Sequence, residues 1–227
     1  MPDESTRIAW VAGASGLTGR LLLEELLAAP QYARVLAITR RPLGREHARL
    51  ANRVVDYARL ESQLAGQACN DAFCCLGTTL RKAGSQQAFR QVDFDEVLRF
   101  AKLARAAGAE RLLVMSSVGA DPAARSFYLR VKGEMEAALV AQRWPALEIL
   151  QPGLLLGGRR GESRPAEDVG RLVMPLANLL LLGGLRRYRA IEAGVVARAM
   201  VGVALAGRKG TRRHTYDALV QAAGPRR

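Results

Sequence analysis

The amino-acid sequence predicts an α/β fold built on a doubly wound parallel sheet. Three observations predict it. Short apolar runs of strand length alternate with longer segments of helical period, the pattern of βαβ units. After Asp71 the fourth run, "DAFCCLG", is uninterrupted in its apolar character, as a central strand covered on both faces must be. Glycines spaced by three close the first run and open the first helical segment, where a parallel sheet feeds its crossover helix.

Taken in order, "IAWVAGA" (8–14) reads as the first strand, ending in glycine. "LTGRLLLEELLAA" (17–29) places Leu21, Leu22, Leu26 and Leu27 at helical spacing and stops at Pro30. "RVLAIT" (34–39) and "RVVDY" (53–57) are the second and third strands, and 71–77 the fourth. "QQAFRQVDFDEVLRFAKLARAAG" (86–108) predicts one long helix closed by Gly108, with Asp93 and Asp95 read as capping or solvated residues. "RLLVMSS" (111–117) is the fifth strand, a helix runs from about Ser126 to Gln142, and "LEILQPG" (147–153) is the sixth strand. After Gly157 the chain turns polar, then apolar in "RLVMPLANLLLLGGL" (171–185). That run is shorter than the ~20 residues needed to span a bilayer, and Pro175 and Asn178 interrupt it, so it reads as a lid helix or a subunit contact. "IEAGVVARAMVGVALAG" (191–207) is a final amphipathic helix, and the basic tail from Arg208 is read as part strand, part disordered. The expected organisation is a single domain over 1–227, with a core at 7–156 and a small C-terminal substrate or lid region at 157–227.

Bulk composition narrows the class. Hydrophobic residues make up 49% and charged residues 24% of the 227, enough for a real core. No basic stretch followed by an apolar run stands at the N-terminus, and the cysteines (Cys69, Cys74, Cys75) read as reduced buried thiols. Both point to a cytoplasmic home. The net charge of +13 suggests nucleic acid, yet only four of the 34 basic residues are Lys and no aromatic-interleaved basic stripe accompanies them. A basic rim around an anionic cofactor or substrate explains the charge better. The partner expected is a small molecule of unspecified identity, bound by a monomer or homodimer. Nucleic acid and membrane spanning are disfavoured, while the flanking "RRYR" leaves peripheral membrane contact through 172–189 open.

The glycine turn supplies the first chemistry. In "VAGASGLTG", Gly13 permits a sharp turn, Gly16 lets backbone N–H groups approach a pyrophosphate, and Gly19 allows the helix to pack closely. The helix N-terminus adds positive dipole. Gly13, Ser15, Gly16, Leu17, Thr18 and Gly19 are therefore expected at a dinucleotide, which makes the sheet Rossmann-like. At the end of the second strand, where an acid would bind the ribose 2′-OH of NAD, stand Thr39-Arg40-Arg41-Pro42, with no acid until Glu46. Arg40 and Arg41 suit a 2′-phosphate, so the expected cofactor is NADP(H).

In "SFYLRVKGEME", Tyr128 and Lys132 lie four apart and share a helix face. Hydride transfer to a carbonyl leaves negative charge on oxygen, which a positioned proton donor relieves. A neighbouring ammonium brings a phenol toward the working range, and a serine hydroxyl stabilises the developing alkoxide. Ser116 and Ser117 follow the fifth strand. Together with "CCLGTT", "KAG", "VD", "SSVGAD", "YLRVKGE" and "QPGLLLGGRRGESRP", in order between about 8 and 205, these motifs resemble the short-chain dehydrogenase/reductase superfamily, and more narrowly its atypical branch.

The resemblance implies that Tyr128 is the proton donor or acceptor and that Lys132 holds the nicotinamide ribose and lowers the phenol pKa. It implies that Ser117 or Ser116 orients the substrate oxygen, Ser117 being the better candidate. It also places Asp56 and Tyr57 at adenine, Leu76, Gly77 and Thr78 along the cofactor, and Pro152, Gly153 and Leu154 beside the nicotinamide. The Asn-Asn-Ala-Gly sequence of reductases with well-defined activity is replaced here by Cys75-Leu76-Gly77-Thr78. The expected function is an NADPH-dependent oxidoreductase acting on a small carbonyl or quinone, the alternative being a non-catalytic NADPH-binding sensor. His47 and His214 lack partners at metal-ligand spacing, so no metal is expected.

Overall fold

A computed structural model describes residues 7–157 and 181–225. Seven parallel strands form the main sheet in the order β3-β2-β1-β4-β5-β6-β9. They are β1 (Arg7–Ala12), β2 (Tyr32–Thr39), β3 (Leu50–Val54), β4 (Asp71–Cys74), β5 (Arg111–Met115), β6 (Ala146–Leu150) and β9 (Gly210–His214). Two short strands, β7 (Leu155–Leu156) and β8 (Ile191–Glu192), pair separately. The helices are α1 (Leu17–Ala28), α2 (Leu60–Gln63), α3 (Leu80–Ala83), α4 (Gln86–Arg90), α5 (Glu96–Ala106), α6 (Phe127–Ala141), α7 (Ala193–Leu205) and α8 (Tyr216–Ala223).

The fold is the Rossmann-like doubly wound sheet that the alternation predicts. Strands β4, β5 and β6 are buried along their full length, because helices cover both faces. On one face Leu22, Leu26, Val196 and Met200 of α1 and α7 pack against Val11, Phe73 and Leu113. On the other, Val97 and Phe100 of α5 and Met135 and Leu139 of α6 pack against Trp10, Leu112 and Ile149. The strand order reverses between β1 and β4, and it is there that ligands bind in open α/β sheets.

Several boundaries differ from the sequence reading, for one recurring reason. Inter-strand pairing ends before the runs read as strands do, so residues read as strand ends are the loops at the C-terminal edge. The fourth strand stops at Cys74 rather than 77, the fifth at Met115 rather than 117, and the sixth at Leu150 rather than 153. The third strand lies at 50–54, not 53–57, and Asp56 and Tyr57 fall in a 3₁₀ turn. The long helix over 86–108 is broken by a π turn at Gln91–Asp95. The tail after Arg208 adds an edge strand to the sheet and then folds as α8, so it is not disordered there. Of the lid segment at 171–185, residues 171–180 lie outside the described residues; 183–188 form a 3₁₀ turn.

Candidate active site

The glycine turn is built as the motif requires. Gly13 has φ +77°, and a Cβ there would lie 2.5 Å from the Cys75 carbonyl oxygen, so β1 and β4 approach too closely for any side chain. A Cβ at Gly19 would fall inside the Gly13 carbonyl. The helix α1 begins at Gly16 with no side-chain cap and no acidic residue in its first turn. The N–H groups of Leu17, Thr18 and Gly19 are therefore left for an anion, with Ser15 and Gly16 exposed at the mouth.

Past the ends of β2 and β3 lies a cleft of about 580 Å³ lined by Arg40, Asp56, Tyr57, Gln91, Glu96 and Arg99 among others. Asp56 accepts from the Ala58 N–H at 2.9 Å and fixes the 3₁₀ turn. Arg99 donates to the Tyr57 carbonyl at 2.6 Å. The buried Tyr57 hydroxyl has no hydrogen-bond partner among the described residues, and burial raises the Tyr57 pKa. An orphan donor in a cleft at the end of β3 fits a ligand with polar edges, as an adenine has. Arg40 and Arg41 stand exposed just past β2. A wider groove of about 660 Å³, lined by Lys102 and Arg105 of α5, shares only Arg99 with this cleft.

Three elements converge on Lys132. The helix α6 sits close to the loop after β5 because Gly133 leaves no side chain: a Cβ there would fall inside Asp121 and Pro122. Lys132 is 3% exposed. Its Nζ meets Asp93 Oδ1 at 2.8 Å and donates to the Met115 carbonyl at 3.3 Å. Asp93 Oδ2 accepts from the Thr78 N–H at 2.8 Å. A Cβ at Gly77 would lie 3.8 Å from Lys132 Nζ, so the loop Leu76–Thr78 passes over the ammonium. Burial lowers the Lys132 pKa, but the charge of Asp93 and the nearby Tyr128 raise it, and the net direction is up. Tyr128, one turn earlier, is half-buried with its ring 5.6 Å from that of Phe89.

The serine pair divides. Ser116 is buried and donates to Glu136 Oε1 at 2.5 Å. The same carboxylate takes Gln151 Nε2 at 2.8 Å and Arg213 Nε at 3.0 Å. Ser116 thus belongs to a structural clamp between β5, β6, β9 and α6, and is withdrawn as the substrate-orienting candidate. Ser117 is half-buried, with only a 3.4 Å contact from its Oγ to the Val118 carbonyl. The Val118 N–H donates to the Pro152 carbonyl at 3.0 Å, tying Pro152, Gly153 and Leu154 to the same rim.

Residues 13–166 match the model of a family described as NAD(P)H-binding. The chain is 42% identical over 166 residues to Protein HTATIP2 of Rattus norvegicus, covering 71% of this chain and 68% of that protein. This chain is an atypical short-chain dehydrogenase/reductase. The same chain is 33% identical over 204 residues to "Protein fmp52-1, mitochondrial" of Aspergillus oryzae, covering 87% and 86% of the two. Its fold is that of MoeE5 in complex with UDP-glucuronic acid and NAD, at TM-score 0.68 and 22% identity over 90% of this chain and 74% of that one. It also matches the Bordetella bronchiseptica enzyme WbmG in complex with NAD, at TM-score 0.68 and 15% identity, covering 99% and 80%. A nicotinamide cofactor is thus the ligand class of this short-chain dehydrogenase/reductase. Fungal relatives named as mitochondrial overturn the cytoplasmic expectation drawn from the N-terminus and cysteines. Among the described residues no helix is long and apolar enough to cross a membrane.

Two site residues escape the sequence reading of this short-chain dehydrogenase/reductase. Asp93 neither caps nor meets solvent; it is fully buried against Lys132. Its signal was available: Phe89, Asp93, Val97 and Phe100 share the buried stripe of the helical segment, and a carboxylate in an apolar stripe needs a buried partner. Glu136 is the second, a buried acid on the same side of α6 as Lys132. Cys74 and Cys75 face opposite cores, and burial pushes the Cys74 thiol up to about 12.

Proposed function

We propose that the chain is an NADPH-dependent oxidoreductase that moves hydride between NADP(H) and a small carbonyl or quinone. The reading rests on one observation: a buried Lys132, held against Asp93, sits one helical turn from the half-buried Tyr128, beneath the loop Leu76–Thr78. When bound, the nicotinamide supplies or accepts the hydride. The first turn of α1 would hold the diphosphate, Tyr57 and Asp56 the adenine, and Arg40 with Arg41 a 2′-phosphate. Lys132 would hold the ribose, Pro152, Gly153 and Leu154 would flank the nicotinamide, Tyr128 would give its phenolic proton to the substrate oxygen, and Ser117 would steady that oxygen as charge develops.

The test is NADPH oxidation against a panel of carbonyls and quinones, with NADPH and NADH affinities measured alongside. Turnover with tighter NADPH binding supports the reading. Tight binding without turnover on any panel member would assign the chain to the non-catalytic, cofactor-sensing alternative, and tighter NADH binding would remove the 2′-phosphate role of Arg40 and Arg41.

A further inference from the structure

We infer that Glu96 is a specificity-determining residue for the base of the cofactor, accepting a hydrogen bond from the exocyclic amino group of adenine. The inference rests on the adenine placement in the proposed function. Two polar groups that line the cleft past β3 lack hydrogen-bond partners among the described residues. One is the Tyr57 hydroxyl, on a residue only 7% exposed. The other is the carboxylate of Glu96, half-buried at the first residue of α5. Other charged groups of the cleft are engaged or stand at its surface. Arg99 donates to the Tyr57 carbonyl at 2.6 Å and approaches Glu61 at 3.7 Å. Asp95 is exposed. Asp56 is exposed too, with one oxygen on the Ala58 N–H and its own N–H on Gln63 Oε1, each at 2.9 Å.

Glu96 and the Tyr57 hydroxyl are neighbours that do not bond to each other. Burial first, then Cys74 and Glu96, raise the Tyr57 pKa. Burial also raises the Glu96 pKa, against the pull of Arg40 and Arg99, so this carboxylate has lost water without gaining a donor. A donor and an acceptor placed close together and left unbonded fit a ligand edge that carries an acceptor beside a donor. Adenine has that edge, an amino group that donates next to a ring nitrogen that accepts. A 6-oxopurine puts a carbonyl oxygen where the amino group stands, and an oxygen facing Glu96 leaves the carboxylate unpaired. Asp56, which the resemblance places at adenine, is the exposed acid of the pair, so Glu96 is the inner acceptor.

The test compares NADPH with reduced nicotinamide hypoxanthine dinucleotide phosphate, which differs in carrying an oxo group in place of the adenine amino group. Both are titrated by fluorescence against the full chain. Wild type should bind NADPH about 10–100-fold more tightly, the range for a hydrogen bond to a charged group left unmade. In Glu96→Gln, whose amide also donates, the hypoxanthine form should gain affinity and the preference should shrink. Glu96→Ala, which removes the acceptor without adding a donor, should weaken NADPH while leaving the hypoxanthine form as tight or tighter. Equal affinity of the two forms for wild type, or a preference unchanged in both variants, would overturn the inference. No substrate enters the titration, so failure of the reductase reading is separable, and the same pair without the 2′-phosphate keeps the result apart from Arg40. Tyr57→Phe tests the shared premise. Unchanged affinity there for every cofactor would remove the adenine placement and the role of Glu96 together, whereas weakened binding there with no base preference in wild type would remove Glu96 alone.

Discussion

Lys132 combines two properties that oppose each other, burial and charge, and the contacting carboxylate of Asp93 reconciles them. This has a consequence for stability. Because the folded pKa of Lys132 is raised above its ordinary 10.5, its contribution is fully present below that value and is lost as pH rises through the folded pKa. In Asp93→Asn burial dominates and the folded pKa falls below 10.5, so the lysine imposes a penalty that grows as pH drops below 10.5. Urea unfolding should therefore show Asp93→Asn much less stable than wild type at neutral pH, with the gap narrowing as pH approaches 10.5. A gap that does not change with pH would point to lost packing instead. At this scale the four-residue spacing of Tyr128 and Lys132 was legible, since helix geometry alone puts them on one face. Asp93 was legible only through the apolar stripe it interrupts, and Glu136 was not, because a lone acid in a helix reads as solvated until its buried partner is located across the fold.

Elements meet at this site through close backbone approach. Helix α6 reaches the loop after β5 only because Gly133 has no side chain. Gly133→Ala should cost about 1–3 kcal/mol by overpacking, read from the urea midpoint at unchanged slope, and should lower NADPH affinity as Lys132 is displaced. Wild-type stability and affinity in that variant would contradict the described packing. The clamp at Glu136 joins α6 to the edge strand β9 through Arg213, so the C-terminal strand, read as part of a basic tail, supports the site. The π turn explains why the long helix was legible as helix but not as broken. Its apolar stripe continues through 97 and 100, and one extra residue in a turn leaves no mark in composition. Strand ends were misplaced for a related reason. The first residues past those strands, such as Leu76 and Ser116, are still buried, and only the pairing tells them apart.

Across the whole molecule, the order β3-β2-β1-β4-β5-β6-β9 sets the glycine turn and the loop after β4 side by side at the switch point. The alternation of short apolar runs and helical segments carried this topology, because right-handed crossovers leave few arrangements open. Cofactor choice belongs to this scale too, since Arg40 comes from just past β2 and the rest of its cleft from the segment after β3, the π turn and α5. Arg40→Asp should weaken NADPH binding about 10–100-fold, the range for a lost charge-assisted contact, while leaving NADH binding equal or tighter by fluorescence titration. Equal loss for both cofactors would mean that Arg40 does not read a 2′-phosphate.

The role proposed for Tyr128, as the acid beside Lys132, is tested by one paired measurement. With a substrate from the carbonyl and quinone panel, NADPH oxidation and NADPH affinity are measured in wild type and in Tyr128→Phe. The predicted result is turnover reduced about 100-fold or more, as loss of a general acid requires, with NADPH affinity nearly unchanged. Full turnover in Tyr128→Phe would contradict it.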